Sequence, residues 1–399
     1  MTIDQVKHLV QEFGSPLYVY DESILRERCK EVKALISHKN YIPNYSAKAN
    51  TNLELLKIIK NEGFTVDAMS PGEIVIEMEA GFSREEILFI SNNISREEMM
   101  FAIEKDITIS VDSLSQLRLF GRINPGGRAA VRLNPGIGAG HNKKVVTGGK
   151  SKFGIELTAI PEVKEIAAKY NIKIVGIDQH IGSLFLDGEK YIQACKILLD
   201  AASEFYELQF IDFGGGLGVP YEDNTCLNME ILSKRLNALI NDFIREYPNK
   251  DIQFKIEPGR YIVAECGELL GTVHSVKVNY NEKYIGTDIG FNTLIRPVLY
   301  DSYHEIAVYN QSLNREMVNV TGNICESGDL LAKNRELPEM KEGDILGIKN
   351  AGAYGYSMAS NYNSRLRPAE VLIQMNGDIR LIRRRDTYED LLSGFQLQA

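Results

Sequence analysis

From residue 41 to about residue 256, short runs of β-branched and aromatic residues alternate with longer stretches whose apolar positions recur every three or four residues. Eight short runs read as strands: YIPNYSA (41–47), FTVDAM (64–69), ILFIS (87–91), ITISVD (107–112), RAAVRLN (128–134), KIVGIDQH (173–180), LQFIDFG (208–214) and IQFKIE (252–257). Helices fill the gaps. Leu53, Leu56 and Ile59 share one helical face, as do Ile192, Cys195, Leu198 and Leu199 further on. Thr51 with Glu54, Ser70 with Glu73 and Ser95 with Glu98 have capping-box spacing, and Pro71 takes a first helical position. Eight strand–helix units over about 220 residues predict an α/β fold built on a (β/α)8 TIM-like barrel rather than an open doubly wound sheet.

After about residue 262 the pattern changes. Successive β-rich runs, among them GTVHSVKVNYNEKYIGTDIG, HEIAVYN, VNVTGNI, DILGIKNAG and AEVLIQMNGDIRLIRR, are joined by polar and glycine-bearing turns. They predict an antiparallel β domain over 263–399, completed by residues 1–24, whose PLYVYD run is a further strand. The barrel is then expected over 25–262. No other repeat and no low-complexity linker interrupts the chain.

Composition narrows the function. With 399 residues, 44% hydrophobic and 25% charged, the chain is long enough for two sizeable cores. A net charge of −9 gives no basic footprint for nucleic acid, and runs such as IRRRD (382–386) are short and strand-like. No apolar stretch approaches the roughly 20 residues of a membrane span, and the first residues lack the apolar core of a signal peptide, so a cytoplasmic protein is expected. Five scattered cysteines (Cys29, Cys195, Cys226, Cys266, Cys325) without a CxxC pair disfavour a disulfide framework and a zinc site. No metal is expected.

Barrels of this type place their chemistry at the C-terminal ends of the strands. There the sequence sets Lys48 after the first strand, Asp67 at the second, HIGS (180–183) after the sixth, GGGLG (214–218) after the seventh and EPGR (257–260) after the eighth. A lysine at a strand end either snorkels to water or serves chemistry. FGGGLGVPY is a phosphate cradle or a tight turn; Val219 breaks the GxGxxG pattern, which argues against a nicotinamide dinucleotide. Glu257, fixed by Pro258 and Gly259, suits a ring nitrogen or a salt bridge to Arg260. His180 is a packed histidine or a flat face for a cofactor. Lysine, cradle, glutamate and histidine together are the parts that pyridoxal 5′-phosphate requires.

The motifs YSAKAN, VDAMSPGEI, VRLNPG, TGGKSKFGI, HIGS, GGGLGVPY, EPGRY, LIRPVLYDSYH, CESGD and GAYGYSMASNYNSR occur in order over nearly the whole chain. In this the sequence resembles the alanine-racemase-fold, pyridoxal-phosphate-dependent amino-acid decarboxylases, most closely those acting on meso-2,6-diaminopimelate to give L-lysine and CO2. The resemblance implies that Lys48 anchors the cofactor covalently and that Glu257 keeps its pyridine nitrogen protonated. It implies that Ser183, Gly214, Gly215, Gly216, Gly259, Arg260 and Tyr354 surround the phosphate or the nearby substrate end, with His180 at the ring. Arg260, Arg296 and Tyr300 would grip a distal carboxylate, Glu326 the distal ammonium, and Cys325 would donate a proton near the reacting carbon. It further implies a homodimer whose two sites each borrow CESGD from the partner. Asp178, Gln179, Leu184 and Ser46 depart from the usual pattern around the cofactor. Related readings are a decarboxylase of ornithine, carboxynorspermidine or a siderophore or antibiotic intermediate; from another class, a noncatalytic cofactor carrier. An intact LIRP favours a carboxylate at the far subsite, and the β domain with CESGD disfavours the carrier.

Overall fold

A computed structural model describes residues 1–90, 92–140, 142–222 and 225–395. The chain forms two compact units: Arg26–Val219 with Thr225–Ile262, and Met1–Leu25 with Pro220–Asn224 and Val263–Ala399.

The first unit is the barrel. Among the described residues its eight parallel strands neighbour one another in sequence order: β1 (Asn44–Ser46), β2 (Thr65–Ala68), β3 (Ile87–Ile90), β4 (Thr108–Val111), β5 (Arg128–Asn134), β6 (Lys173–Asp178), β7 (Phe210–Asp212) and β8 (Gln253–Lys255). Ile42 N–H donates to the Phe254 carbonyl at 3.0 Å and Asn44 N–H to that of Ile256 at 2.9 Å, which closes the ring. The first apolar run is longer than β1 because Pro43 has no N–H to give the ladder.

Inside the barrel, Leu88, Ile90, Ala130, Val175 and Phe210 pack as one apolar cluster. Gly176 makes room for it, since a Cβ there would lie 2.1 Å from the Phe210 ring. Two residues further along the strands the lining becomes charged: Arg132 pairs in register with Asp178, Asp178 with Asp212, and Asp212 with Lys255. Residues in register on parallel strands share a face, so these four form one polar tier.

The surrounding helices start largely where the capping residues indicate. Ser95 and Glu98 form a capping box. Ser70 accepts the Glu73 N–H at 3.2 Å, but the Glu73 carboxylate reaches back to the Met69 N–H at 2.6 Å. The Thr51 cap is corrected by one position: Asn52 caps Leu53–Asn61, accepting from the Glu54 N–H at 3.0 Å, because its amide oxygen reaches the second helical N–H.

In the second unit Thr2 and Gln5 form the capping box of the helix Ile3–Phe13. That helix sets Val6 and Leu9 into a core with Leu17, Val19, Leu270, Tyr309, Ile345, Ala369 and Val371. The PLYVYD run forms the strand Leu17–Asp21, antiparallel to Gly267–Asn279 and parallel to Ala369–Ile373. A second parallel pair joins Glu282–Thr287 and Arg315–Thr321. The sheet is therefore mixed rather than purely antiparallel. Both parallel pairs join strands that no tight hairpin connects, so nothing local dictates their direction. No described helix is long and apolar enough to cross a membrane.

Candidate active site

β1 runs into a single 3₁₀ turn, Ala47–Ala49, which carries the half-buried Lys48. Asp67 on β2 organises this turn, accepting from Ser46 Oγ at 3.0 Å and from the Ala47 N–H at 3.2 Å. Burial raises the Asp67 pKa, while the Lys48 charge and those two bonds oppose it. Lys48 Nζ lies 3.9 Å from the Met69 sulfur. The chain after β8 comes close to the lysine turn: a Cβ on Gly259 would sit 2.9 Å from Ser46 Cβ and 3.0 Å from Ala49 Cβ.

The glycine run after β7 is a site of close backbone approach. A Cβ on Gly215 would fall 1.8 Å from the Glu257 carbonyl, and one on Gly214 2.0 Å from that of Gln179. Gly214 and Gly216 have φ of 71° and 110°, which only glycine adopts readily. The Gly214 N–H donates to Asp212 Oδ1 at 2.9 Å and the Gly215 N–H to His180 Nδ1 at 3.2 Å. His180 therefore carries its proton on Nε2 when neutral. Burial, with the charges of Lys48 and Arg132, pushes its pKa well below the usual range, so the ring is neutral. Ser183 Oγ accepts from Arg260 Nη2 at 3.1 Å and Nε at 3.4 Å, joining the loop after β6 to the end of β8.

Glu257 is buried, and its Oε1 has no hydrogen-bond partner among the described residues. Burial, with the negative charges of Asp212 and Asp67, raises its pKa well above the carboxylate range. Such a group is costly as a lone anion and is relieved by a cationic N–H donor. A protonated pyridine ring supplies that donor. With a lysine, a glycine cradle and a neutral imidazole around it, this residue set fits pyridoxal 5′-phosphate.

Sequence reasoning missed the tier beneath. Asp178, one of the departures, accepts a hydrogen bond from Ser110 Oγ. Burial raises its pKa to about 6 against the opposing charge of Arg132. Burial takes Asp212 to about 7 and lowers that of Lys255. The available signal was a charge inside each of three β-rich runs, at Arg132, Asp212 and Lys255. Gln179 is fully buried with both amide atoms unpartnered among the described residues, and Leu184 holds a left-handed φ of 62°.

The structure thus brings together Lys48, His180, Ser183, Gly214, Gly215, Gly216, Glu257, Gly259 and Arg260 in the barrel unit. The other candidates belong to the second unit. Arg296 and Tyr300 begin and end a five-residue helix, and Arg296 is 1% exposed. Tyr354 is half-buried with a left-handed φ of 56°. Cys325 and Glu326 are exposed. Asn363 clasps Cys325, accepting its N–H at 3.0 Å and donating Nδ2 to its sulfur at 3.1 Å, while Tyr362 O–H donates to Glu326 at 2.6 Å.

Residues 22–264 match the family model described as the pyridoxal-binding domain of pyridoxal-dependent decarboxylases, and the chain belongs to that family. It is a pyridoxal-phosphate-dependent amino-acid decarboxylase. The individual relatives narrow the class. The diaminopimelate decarboxylase of Methanothermobacter thermautotrophicus is 43% identical, over 98% of this chain and 94% of its own. A crystal structure of a diaminopimelate decarboxylase superposes with a TM-score of 0.91 at 36% identity, covering 98% of this chain and 96% of that one. The Helicobacter pylori diaminopimelate decarboxylase complexed with L-lysine gives 0.90 at 32% identity, covering 97% and 98%.

Proposed function

We propose that the protein converts meso-2,6-diaminopimelate to L-lysine and CO2. Identity to diaminopimelate decarboxylases over nearly the full length of both chains carries this reading. Bound pyridoxal phosphate supplies an electron sink for the carbon that loses its carboxylate. In this reading Lys48 is the covalent anchor, and Glu257 holds a proton on the ring nitrogen with its unpartnered Oε1. Neutral His180 covers the ring. Ser183, Gly214, Gly215, Gly216, Gly259, Arg260 and Tyr354 bind the phosphate and the adjoining substrate end. Arg296 and Tyr300, with Arg260, receive the distal carboxylate; Glu326 receives the distal ammonium. Cys325 donates the proton that replaces CO2 on the α-carbon. The exposure of Cys325 and Glu326 supports a homodimer in which each copy lends this segment to the other.

The test is CO2 release from the purified, cofactor-loaded protein given meso-diaminopimelate, ornithine, lysine or carboxynorspermidine, alongside Arg296→Ala. Diaminopimelate should be strongly preferred, and Arg296→Ala should lower kcat/KM on it roughly a hundredfold while keeping the cofactor's absorbance. Preference for ornithine, or a wild-type kcat/KM in Arg296→Ala, overturns the substrate assignment.

A further inference from the structure

Arg296 is the largest fully buried side chain among the described residues, and its orientation is specified. Its Nε donates to His304 Nε2 at 3.3 Å and its Nη2 to Ser302 Oγ at 3.3 Å. The guanidinium carbon lies 5.2 Å from the centre of the Tyr221 ring, which also meets His304 edge-on at 5.1 Å. His304 is 2% exposed, and its Nδ1 lies 2.8 Å from the Lys349 carbonyl. A carbonyl oxygen only accepts, so the proton of the neutral imidazole belongs on Nδ1. The lone pair is then on Nε2, where the Arg296 Nε–H requires an acceptor. The backbone beneath is tied as well, because Arg335 Nη1 donates to the His304 carbonyl at 3.1 Å.

We propose that His304 is the positioning residue for Arg296, fixing the plane and rotation of the guanidinium and thereby the selectivity for a substrate with a distal carboxylate. The proposal rests on the assignment of Arg296 to that carboxylate. Two charge-assisted bonds to a carboxylate demand that both planes align, and an unbraced arginine must give up rotamer freedom each time substrate binds. The tautomer is essential to the brace: an imidazole with Nε2 protonated would turn a donor toward a donor. Ser302 and Tyr221 hold the guanidinium by one bond and one ring face, and neither replaces an in-plane acceptor at Nε.

Two substitutions separate this role from a structural one. His304→Asn keeps an amide N–H where Nδ1 meets the Lys349 carbonyl and lacks the acceptor at Nε2. His304→Gln places an amide oxygen where Nε2 accepts. In cofactor-loaded enzyme, His304→Asn should raise KM for diaminopimelate about tenfold with kcat within about twofold, and the cofactor absorbance should stay unchanged. His304→Gln should recover KM to within about threefold of wild type. Added to Arg296→Ala, His304→Asn should change nothing further, because the group it positions is gone. A wild-type KM in His304→Asn, equal defects in the two variants, or an undiminished effect on the Arg296→Ala background overturns the proposal. If Arg296→Ala alone leaves kcat/KM on diaminopimelate unchanged, the assignment of Arg296 falls, and the selectivity role of His304 falls with it.

Discussion

Glu77, on the helix Pro71–Glu79, is fully buried and neither carboxyl oxygen has a hydrogen-bond partner among the described residues. Burial, with the negative charges of Asp67 and Glu73, pushes its pKa from an ordinary 4.5 up to about 9. The folded chain therefore keeps a proton that the unfolded chain releases. Where the folded pKa of an acid lies above the unfolded one, stability falls as pH rises, from near pH 4.5 up to about 9. Each pH unit in that window costs about 1.4 kcal/mol, so at pH 7 the penalty is about 3 kcal/mol. Glu77→Gln retains the shape, carries no ionisable proton and leaves the same number of unpartnered polar atoms. It should stabilise the protein by about 3 kcal/mol at pH 7, with the gain shrinking toward zero near pH 4.5. Urea unfolding of both proteins at several pH values measures this directly. A difference that does not vary with pH, or a loss of stability at pH 7, refutes the reasoning.

Lys48→Ala should abolish turnover and the visible absorbance of the covalently held cofactor, and borohydride treatment of the wild type should fix the cofactor to the chain through Lys48; no attachment there removes the assignment. Cys325→Ala should lower kcat by about a hundredfold or more while cofactor affinity is unchanged, because the thiol is assigned to proton delivery and lies in an exposed segment. Loss of cofactor in that variant would make Cys325 structural.

The barrel was legible because its signals are periodic. β-branched runs at regular intervals, with glycines and charges at their C-terminal ends, specify both the strands and the rim that carries Lys48, Gly214 and Glu257. The mixed pairing of the second unit was not legible, because the parallel partner of Leu17–Asp21 is Ala369–Ile373, some 350 residues away, and alternation along a strand says nothing about its neighbour's direction. The brace on Arg296 was hidden for a related reason. His304 follows it by eight residues, but the bond that selects its tautomer comes from Lys349, on a different strand connection.

The charged tier under the rim accounts for the electrostatic state of Glu257. Asp178 and Asp212 are register neighbours, and two adjacent buried carboxylates repel; here Arg132 stands on one side of the pair and Lys255 on the other. The cations do not form a tight pair with Asp212: Lys255 Nζ instead lies over the Phe210 ring at 5.6 Å and donates to Thr65 Oγ1 at 3.3 Å. Their effect is therefore carried by long-range attraction in a medium that screens poorly. That leaves Asp212, held near 7, able to accept the Gly214 N–H, and it leaves Glu257 facing more negative than positive charge. A carboxyl so placed takes up a proton or a cation. A protonated ring nitrogen of pyridoxal phosphate, held at Glu257 as proposed, would relieve that carboxyl, and the charge imbalance of the barrel interior would then favour the ring form that best withdraws electrons.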